Sequence, residues 1–389
     1  MSAGVTGNSG GACDDCLARA WLLSRLAGHL DQARDRVAEL LTLTDPDLLA
    51  AVGGGQRAAI ERERAQFHAG HARAARSAAA RAGLELVCRC RTAYPEGLRA
   101  LAAPPAVLHV LGGWDRLLTL VAEPTVAIVG ARRPSPYGVA VARSLGRGLA
   151  AAGVTVVSGM ALGIDGAAHR GALDALDAGA SEVGASTVAV LAGGPETPYP
   201  SCARALHGRL AAETTIVSEL PPGTAVRRWM FPARNRIIAA LSAMTVVVEA
   251  RAHSGALLTA GHAADLGRPL GAVPGRVTSP LTRGPHGLLR AGARLVEGPE
   301  DVLEELFGPE APVRARRARR SGQPALEPTL RALLDALAEG HGTAAALVHA
   351  GLDADAGLAA LASLELAGRI RREAGGRFRA DVNARPERT

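Results

Sequence analysis

This sequence predicts a doubly wound α/β fold on a mostly parallel sheet, with a helical N-terminal domain before it and a winged-helix-like domain after it. Three observations carry the prediction. From Thr125 to Phe307 short β-branched runs alternate with loops and helical patterns, and such alternation folds into parallel strands joined by crossover helices. Upstream, apolar residues recur at helical spacing. Downstream, three helical segments precede a Gly-Gly hairpin signal, which is the order of a winged helix.

Taken in order, residues 1 to about 12 are small and Gly-rich and are expected to be disordered. The helical domain, 1–83, has apolar positions at Leu22, Leu26, Leu30, Val37, Leu40 and Leu41, with punctuation at Asp45-Pro46 and Gly53-Gly54-Gly55. A connection, 84–124, carries brief strands at LELVC and VLHVLGG. The core, 125–307, holds six strand candidates: TVAIVG, VTVVSG, TVAVLAGG, TTIVSE, MTVVVEA and PLGAVPG. A flexible linker rich in Pro and Arg, 308–327, leads to the last domain, 328–380. There, helices are expected at about Pro328–Ala338, Thr343–Ala350 and Asp353–Gly368, then a hairpin turned at Gly375-Gly376.

The 389 residues are enough for two or three domains. All 44 basic residues are Arg, so the Lys of a Walker A loop is missing and a P-loop NTPase is excluded. Net charge is +7 overall, but Thr125–Val296 holds 17 Arg against 9 acids, whereas Glu297–Glu305 holds five acids and no base. A basic core suits a polyanion, although a solvated basic surface gives the same count. Five Cys in a chain this long are not a disulfide framework and suggest a reducing cytoplasm. No stretch has the pattern of a leader or a membrane span, which points to a cytoplasmic protein without membrane contact.

The stretch from Thr125 to Asp165 is the most informative: one βαβ unit whose strand ends carry Gly130, Arg132, Arg133 and Ser158-Gly159. In open parallel sheets a ligand sits beyond the carboxyl ends of the strands, where loop glycines and free helix amides accept phosphate. The most distinctive motif is FPARNRII at Phe231–Ile238. Arg234, Asn235 and Arg236 at a helix start can hold phosphates, and Trp229 and Phe231 offer stacking surfaces. The alternative is that Phe231 plugs the core and the arginines pair with Glu219 or Glu249. Asp165 and His169, or Glu249, His253 and Ser254, invite an acid–base or triad reading, but no GxSxG or HExxH occurs; a buried helix N-cap and a structural His are preferred. No metal is assigned: Cys13, Cys16, Cys88 and Cys90 are zinc candidates by type, against free buried thiols, because the gap between the pairs is long. The Arg314–Arg320 run reads as solvated linker.

At VAIVGARRPSPYG, SGMALGID, FPARNRIIAALS, EARAHSGALLTA and AVPG the chain resembles the DNA-processing protein A family, also called the DNA-protecting or Smf family, across the core from Ala122 to about Phe307. The resemblance implies an extended Rossmann-like core that binds single-stranded DNA, forms a homodimer and loads the RecA recombinase on incoming DNA during natural transformation. It implies no cofactor and no enzymatic activity. Its anion pocket would fall on Gly130, Ala131, Arg132, Ser158, Gly159, Phe231, Arg234, Asn235 and Arg236, with Ser254 and Gly255 at the rim. Three positions depart from the family pattern: Leu162 stands where Arg is usual, Ser201-Cys202 where an acidic-Asn pair is usual, and His286 where Asn is usual.

Charge removal at Arg132 and Arg236 is therefore expected to weaken DNA binding and leave the fold intact. A rival reading, a nucleotide-processing phosphoribohydrolase of the lysine decarboxylase-like type on a similar core, would need a PGGxGTxxE loop, and none occurs. In a third reading the winged helix, with Arg369, Arg371 and Arg372, is the functional end, and duplex binding would survive on residues 325–389.

Overall fold

Among the described residues nine strands form one sheet, in the spatial order β1 (Leu84–Cys88), β2 (Val107–Leu111), β6 (Thr215–Ser218), β5 (Thr187–Val190), β4 (Val156–Ser158), β3 (Val126–Val129), β7 (Met244–Val247), β8 (Leu270–Ala272) and β9 (Arg294–Leu295). The computed structural model describes residues 11–33, 36–52, 58, 60–62, 69–180, 187–310, 328–341, 343–353, 356–357, 360–361, 364–365, 370–373 and 377–380. The expected Gly53-Gly54-Gly55 break, most of the linker with its Arg314–Arg320 run, Arg369 and the Gly375-Gly376 turn lie outside them. The chain divides into two compact units, 1–315 and 316–389.

Strands β3 (Val126–Val129), β4 (Val156–Ser158), β5 (Thr187–Val190), β6 (Thr215–Ser218) and β7 (Met244–Val247) are buried at every residue. That explains why they read as continuous apolar runs and not as alternation: helices cover both faces. Ala127, Val129, Val157 and Val247 face a core shared with Ile237, Ile238 and Ala260. Val126, Ile128, Val156 and Val246 face another shared with Leu145, Leu149 and Ala168. β8 (Leu270–Ala272) and β9 (Arg294–Leu295) extend the parallel sheet past β7. The pair expected only as brief strands in a connection, β1 (Leu84–Cys88) and β2 (Val107–Leu111), joins the same sheet antiparallel, β2 against β6.

The chain runs from β3 outward through β4, β5 and β6, then returns to β7 on the other side of β3. The topological switch therefore lies between β3 and β7, and both following loops open at their carboxyl ends. The helices Pro136–Ala151 and Ile164–Asp177 cross closely on one face because two glycines let them. A Cβ at Gly146 would stand 2.2 Å from the Ala168 carbonyl oxygen, and one at Gly171 would stand 2.0 Å from that of Arg143.

Helices Asp14–Arg25, Ala27–Ala33, Val37–Thr42, Asp45–Val52 and Ala69–Arg81 make the N-terminal region. The predicted faces are the buried ones: Leu22, Leu26, Leu30, Val37, Leu40 and Leu41 form one cluster with Leu220, Trp229, Met230 and Ala233 of the core. Residues 11 and 12, expected to be disordered, are held instead. Ala12 is buried, and the Gly11 carbonyl accepts a hydrogen bond from Arg91 Nε at 3.0 Å.

In the second unit, helices Pro328–Ala338 and Thr343–His349 and the antiparallel strands β10 (Ile370–Arg372) and β11 (Phe378–Ala380) surround a core of Leu333, Leu337, Ala346, Leu361, Leu364 and Ile370. The Phe378 N–H donates to Thr343 Oγ1 at 3.1 Å, which ties hairpin to helix.

Candidate functional site

The first βα turn is the expected phosphate site, and it is already occupied by the protein. Glu249, buried at the end of β7, accepts from the Ser135 N–H at 2.8 Å and from Ser135 Oγ at 2.6 Å. Ser135 Oγ in turn accepts from the Gly138 N–H at 3.2 Å, capping the helix Pro136–Ala151. An internal carboxylate thus sits where a ligand phosphate would meet free amides. Ala131 is spent as well: its N–H donates to the Glu249 carbonyl at 2.6 Å, and its own carbonyl accepts from Ile164 at 3.2 Å. The expectation of a free amide at Ala131 is corrected accordingly, and neither Gly130 nor Ala131 lines the neighbouring hollow.

An open hollow lies one to two strands away, beyond β4 and β5. Its cavity volume is about 120 Å³, and it is lined by Arg132, Gly159, Leu162, Leu191, Tyr199, Phe231 and Arg234, among others. Arg132 is exposed, forms no ion pair among the described residues, and holds its guanidinium carbon 4.7 Å from the Phe231 ring centroid. Tyr199 meets the same ring at 5.4 Å between centroids, tilted by 48°. A guanidinium over an aromatic face keeps its charge while its plane stays open to a ligand.

Below them Arg234 is buried, 6% exposed. Its Nη1 donates to the Gly159 carbonyl at 2.7 Å and to that of Val190, joining the ends of β4 and β5. Burial lowers its pKa to about 10, so it remains a cation at neutral pH. Its Nε has no protein partner among the described residues.

The remaining predicted residues do not line the hollow. Arg236 is buried and donates to Glu219 at 2.7 Å and to the carbonyls of Ala103, at 3.1 Å, and Ala233, at 3.0 Å. It is a structural cation, and the expectation that its removal would spare the fold is corrected. Asn235 Nδ2 donates to the Gly255 carbonyl at 3.0 Å, joining the helices Met230–Leu241 and Gly255–Asp265. Ser254 is the N-cap residue of the latter, and its Oγ is buried without a partner among the described residues. Ser158 Oγ donates to the Ile128 carbonyl at 2.6 Å inside the sheet. Trp229, expected as a stacking surface, is only 3% exposed and fills the core against the N-terminal helices.

The sequence assigns no site residue to the loop after β5, yet Gly193, Thr197, Tyr199 and Pro200 form one wall of the hollow. The wall is held from behind: His207 Nε2 bonds the Pro195 carbonyl at 2.8 Å, and Glu196 accepts from the Gly223 N–H at 2.7 Å. The usable signal was Tyr199, one of three Tyr in a chain that is 3% aromatic. Leu162, where the family pattern has Arg, is 49% exposed and gives the opposite wall an apolar lip.

Asp165 and His169 have structural surroundings. Asp165 is in the first turn of the helix Ile164–Asp177, next to the N-cap Gly163 and not itself the cap, and accepts from the Gly159 N–H at 3.2 Å. Burial raises its pKa. His169 Nδ1 lies 2.8 Å from Thr187 Oγ1, which donates to the Val156 carbonyl at 2.8 Å, so His169 carries its proton on Nδ1. Burial pushes the pKa of His169 down to about 3 and that of His109 down to about 4, from 6.5. Both stay neutral in the fold but protonate in the unfolded chain below about pH 6.5, so the unfolded chain gains protons first. Stability is therefore expected to fall as pH drops from 6.5 toward 4, approaching ~1.4 kcal/mol per pH unit for each imidazole, with raised Asp165 opposing at the acid end. Urea midpoints at a series of pH values should show this slope, and His169→Gln should flatten it.

Fold and site define a class: a mostly parallel α/β protein whose strand-end loops gather two aromatic rings and a cation without an ion pair among the described residues around a shallow hollow. Residues 85–307 match the family model of DNA recombination-mediator protein A, and residues 317–376 match that of the DprA winged helix domain. The chain belongs to the DNA recombination-mediator protein A family. A DprA-named protein of Mycobacterium tuberculosis is 44% identical over 275 residues, covering 68% of this chain and 66% of its own length. The chain thus spans just under two thirds of that relative. The DNA processing protein DprA of Bacillus subtilis is 37% identical over 214 residues, covering 55% of this chain and 68% of its own. The solved structure of DNA processing protein A from Streptococcus pneumoniae superposes with a TM-score of 0.58 at 29% identity, covering 75% of this chain and 96% of that one.

Proposed function

We propose that this chain binds single-stranded DNA at the hollow between the loops after β3, β4 and β5, and acts as a recombination mediator and not as an enzyme. The carrying observation is Arg132 held 4.7 Å over Phe231 with Tyr199 beside it: an unpaired cation and exposed ring surface at one mouth. Phosphate meets Arg132, with Arg234 adding positive potential from below, and bases stack on the rings and on Leu162. Such contacts carry little sequence preference. Membership of the recombination-mediator family supports the reading. By extension we assign the chain a role in protecting incoming DNA and delivering it to the RecA recombinase during natural transformation, as a homodimer in the cytoplasm. No helix among the described residues is long and apolar enough to cross a membrane.

Fluorescence anisotropy with a labelled single-stranded oligonucleotide tests the site. Arg132→Ala is expected to bind about tenfold more weakly and to lose ~0.7 from the log–log salt slope, the share of one phosphate contact. Phe231→Ala is expected to lose ~1–3 kcal/mol of binding, the range for one stacked base. Circular dichroism should be unchanged for Arg132→Ala, because the side chain is exposed and unpaired. Parental affinity and slope in both variants would remove DNA from this hollow. Release of base or ribose phosphate from nucleoside monophosphates would favour the phosphoribohydrolase reading instead.

A further inference from the structure

The helix Asp14–Arg25 and the end of β1 bring four of the chain's five cysteines to one point. Cys13 is the N-cap residue of that helix and Cys16 lies in its first turn; Cys88 ends β1 and Cys90 follows in the turn. All four sulfurs lie within 4.8 Å of one another. The Sγ atoms of Cys13 and Cys90 are 3.9 Å apart, those of Cys16 and Cys90 3.6 Å, and those of Cys13 and Cys88 3.9 Å. No two are at bonding distance, and all four are free thiols. Tetrahedral zinc with bonds of ~2.3 Å requires sulfurs ~3.8 Å apart, and those three pairs already stand at that spacing. We propose that Cys13, Cys16, Cys88 and Cys90 bind one structural zinc ion.

The surroundings suit thiolates. The Cys13 N–H points to Cys88 Sγ at 3.4 Å, and the helix start places its positive end at Cys13 and Cys16. Both arms are fixed by arginines that bind backbone carbonyls. Arg76 donates to Ala12 at 2.7 Å, Arg91 to Gly11 at 3.0 Å, and Arg99 to Arg89 at 2.5 Å and to Arg91. The long sequence gap that argued against the site is closed by the helix Ala69–Arg81, which packs beside the first helix and delivers the chain directly into β1. Four protein ligands leave no open position, so the ion would be a staple between the helical region and the sheet edge and not a reagent.

Untagged full-length protein, purified under reducing conditions without chelator, should contain one zinc per chain by plasma mass spectrometry. Titration with a thiol-specific mercurial should release it, and cobalt substitution should give the absorption bands of a tetrahedral all-sulfur site. Cys90→Ser, altering the most exposed ligand, should fold and carry background zinc. Cys202→Ser, altering the remaining cysteine, should carry one zinc like the parent. Chelation of the parent should lower its Tm by several degrees, and added zinc should restore it. Four titratable thiols without metal, a mass showing disulfides, an iron chromophore, or full zinc in Cys90→Ser would each overturn the assignment.

Discussion

Glu219→Ala is expected to destabilise the protein by about 3–5 kcal/mol, because it leaves the Arg236 guanidinium buried and unpaired. The two side chains are 2.7 Å apart and only 8% and 10% exposed, with two backbone carbonyls completing the arginine's shell. Removing one partner strands a charge that water cannot reach, whereas removing both need not. A double variant, Glu219→Leu with Arg236→Met, should therefore recover most of the loss, and the urea midpoints of the three variants would measure it. Equal destabilisation in single and double variants would mean that packing and not charge dominates here. Because Arg236 lies outside the hollow, Arg236→Ala should weaken DNA binding only as far as it lowers the folded fraction.

Gly159→Ala, the addition of one methyl group, is expected to lower stability by about 2–3 kcal/mol and to disable the hollow together with it. The new Cβ would stand 2.2 Å from Nη1 of Arg234 and 2.4 Å from its Cζ. An exposed arginine would swing aside, but this one is buried and anchored on the carbonyls at the ends of β4 and β5. Its displacement orphans those carbonyls and moves the floor beneath Arg132 and Phe231. Oligonucleotide affinity should fall further than in Arg132→Ala, and a parental Tm together with parental affinity would show that Arg234 can be moved freely.

Much of the site was legible in the sequence, and helical periodicity explains which part was misread. Residues three apart on a helix share a face, while residues two apart do not. Phe231 and Arg234 are three apart, and both line the hollow. Arg236 is two beyond Arg234 and meets Glu219 instead. Trp229, two before Phe231, precedes the helix and fills the core. Applied to FPARNRII, that rule would have separated the two arginines in advance. No such rule was available for Glu249, whose carboxylate accepts from the capping residue Ser135, 114 residues earlier, nor for the cysteine pairs, whose convergence needs the path of an entire helix.

By itself the sequence determined the alternation of strands and helices, the loops at the strand ends, the aromatic and cationic character of the site, and the family. These are local properties, written in periodicity and in short strings. Tertiary structure alone decided the order of the strands, the filling of the switch point by Glu249, and the difference between an unpaired cation at Arg132 and a buried one at Arg236. Each of those depends on a partner brought from a distant part of the chain, and whether a charge is free to bind is fixed by its neighbours in space and not by those in sequence.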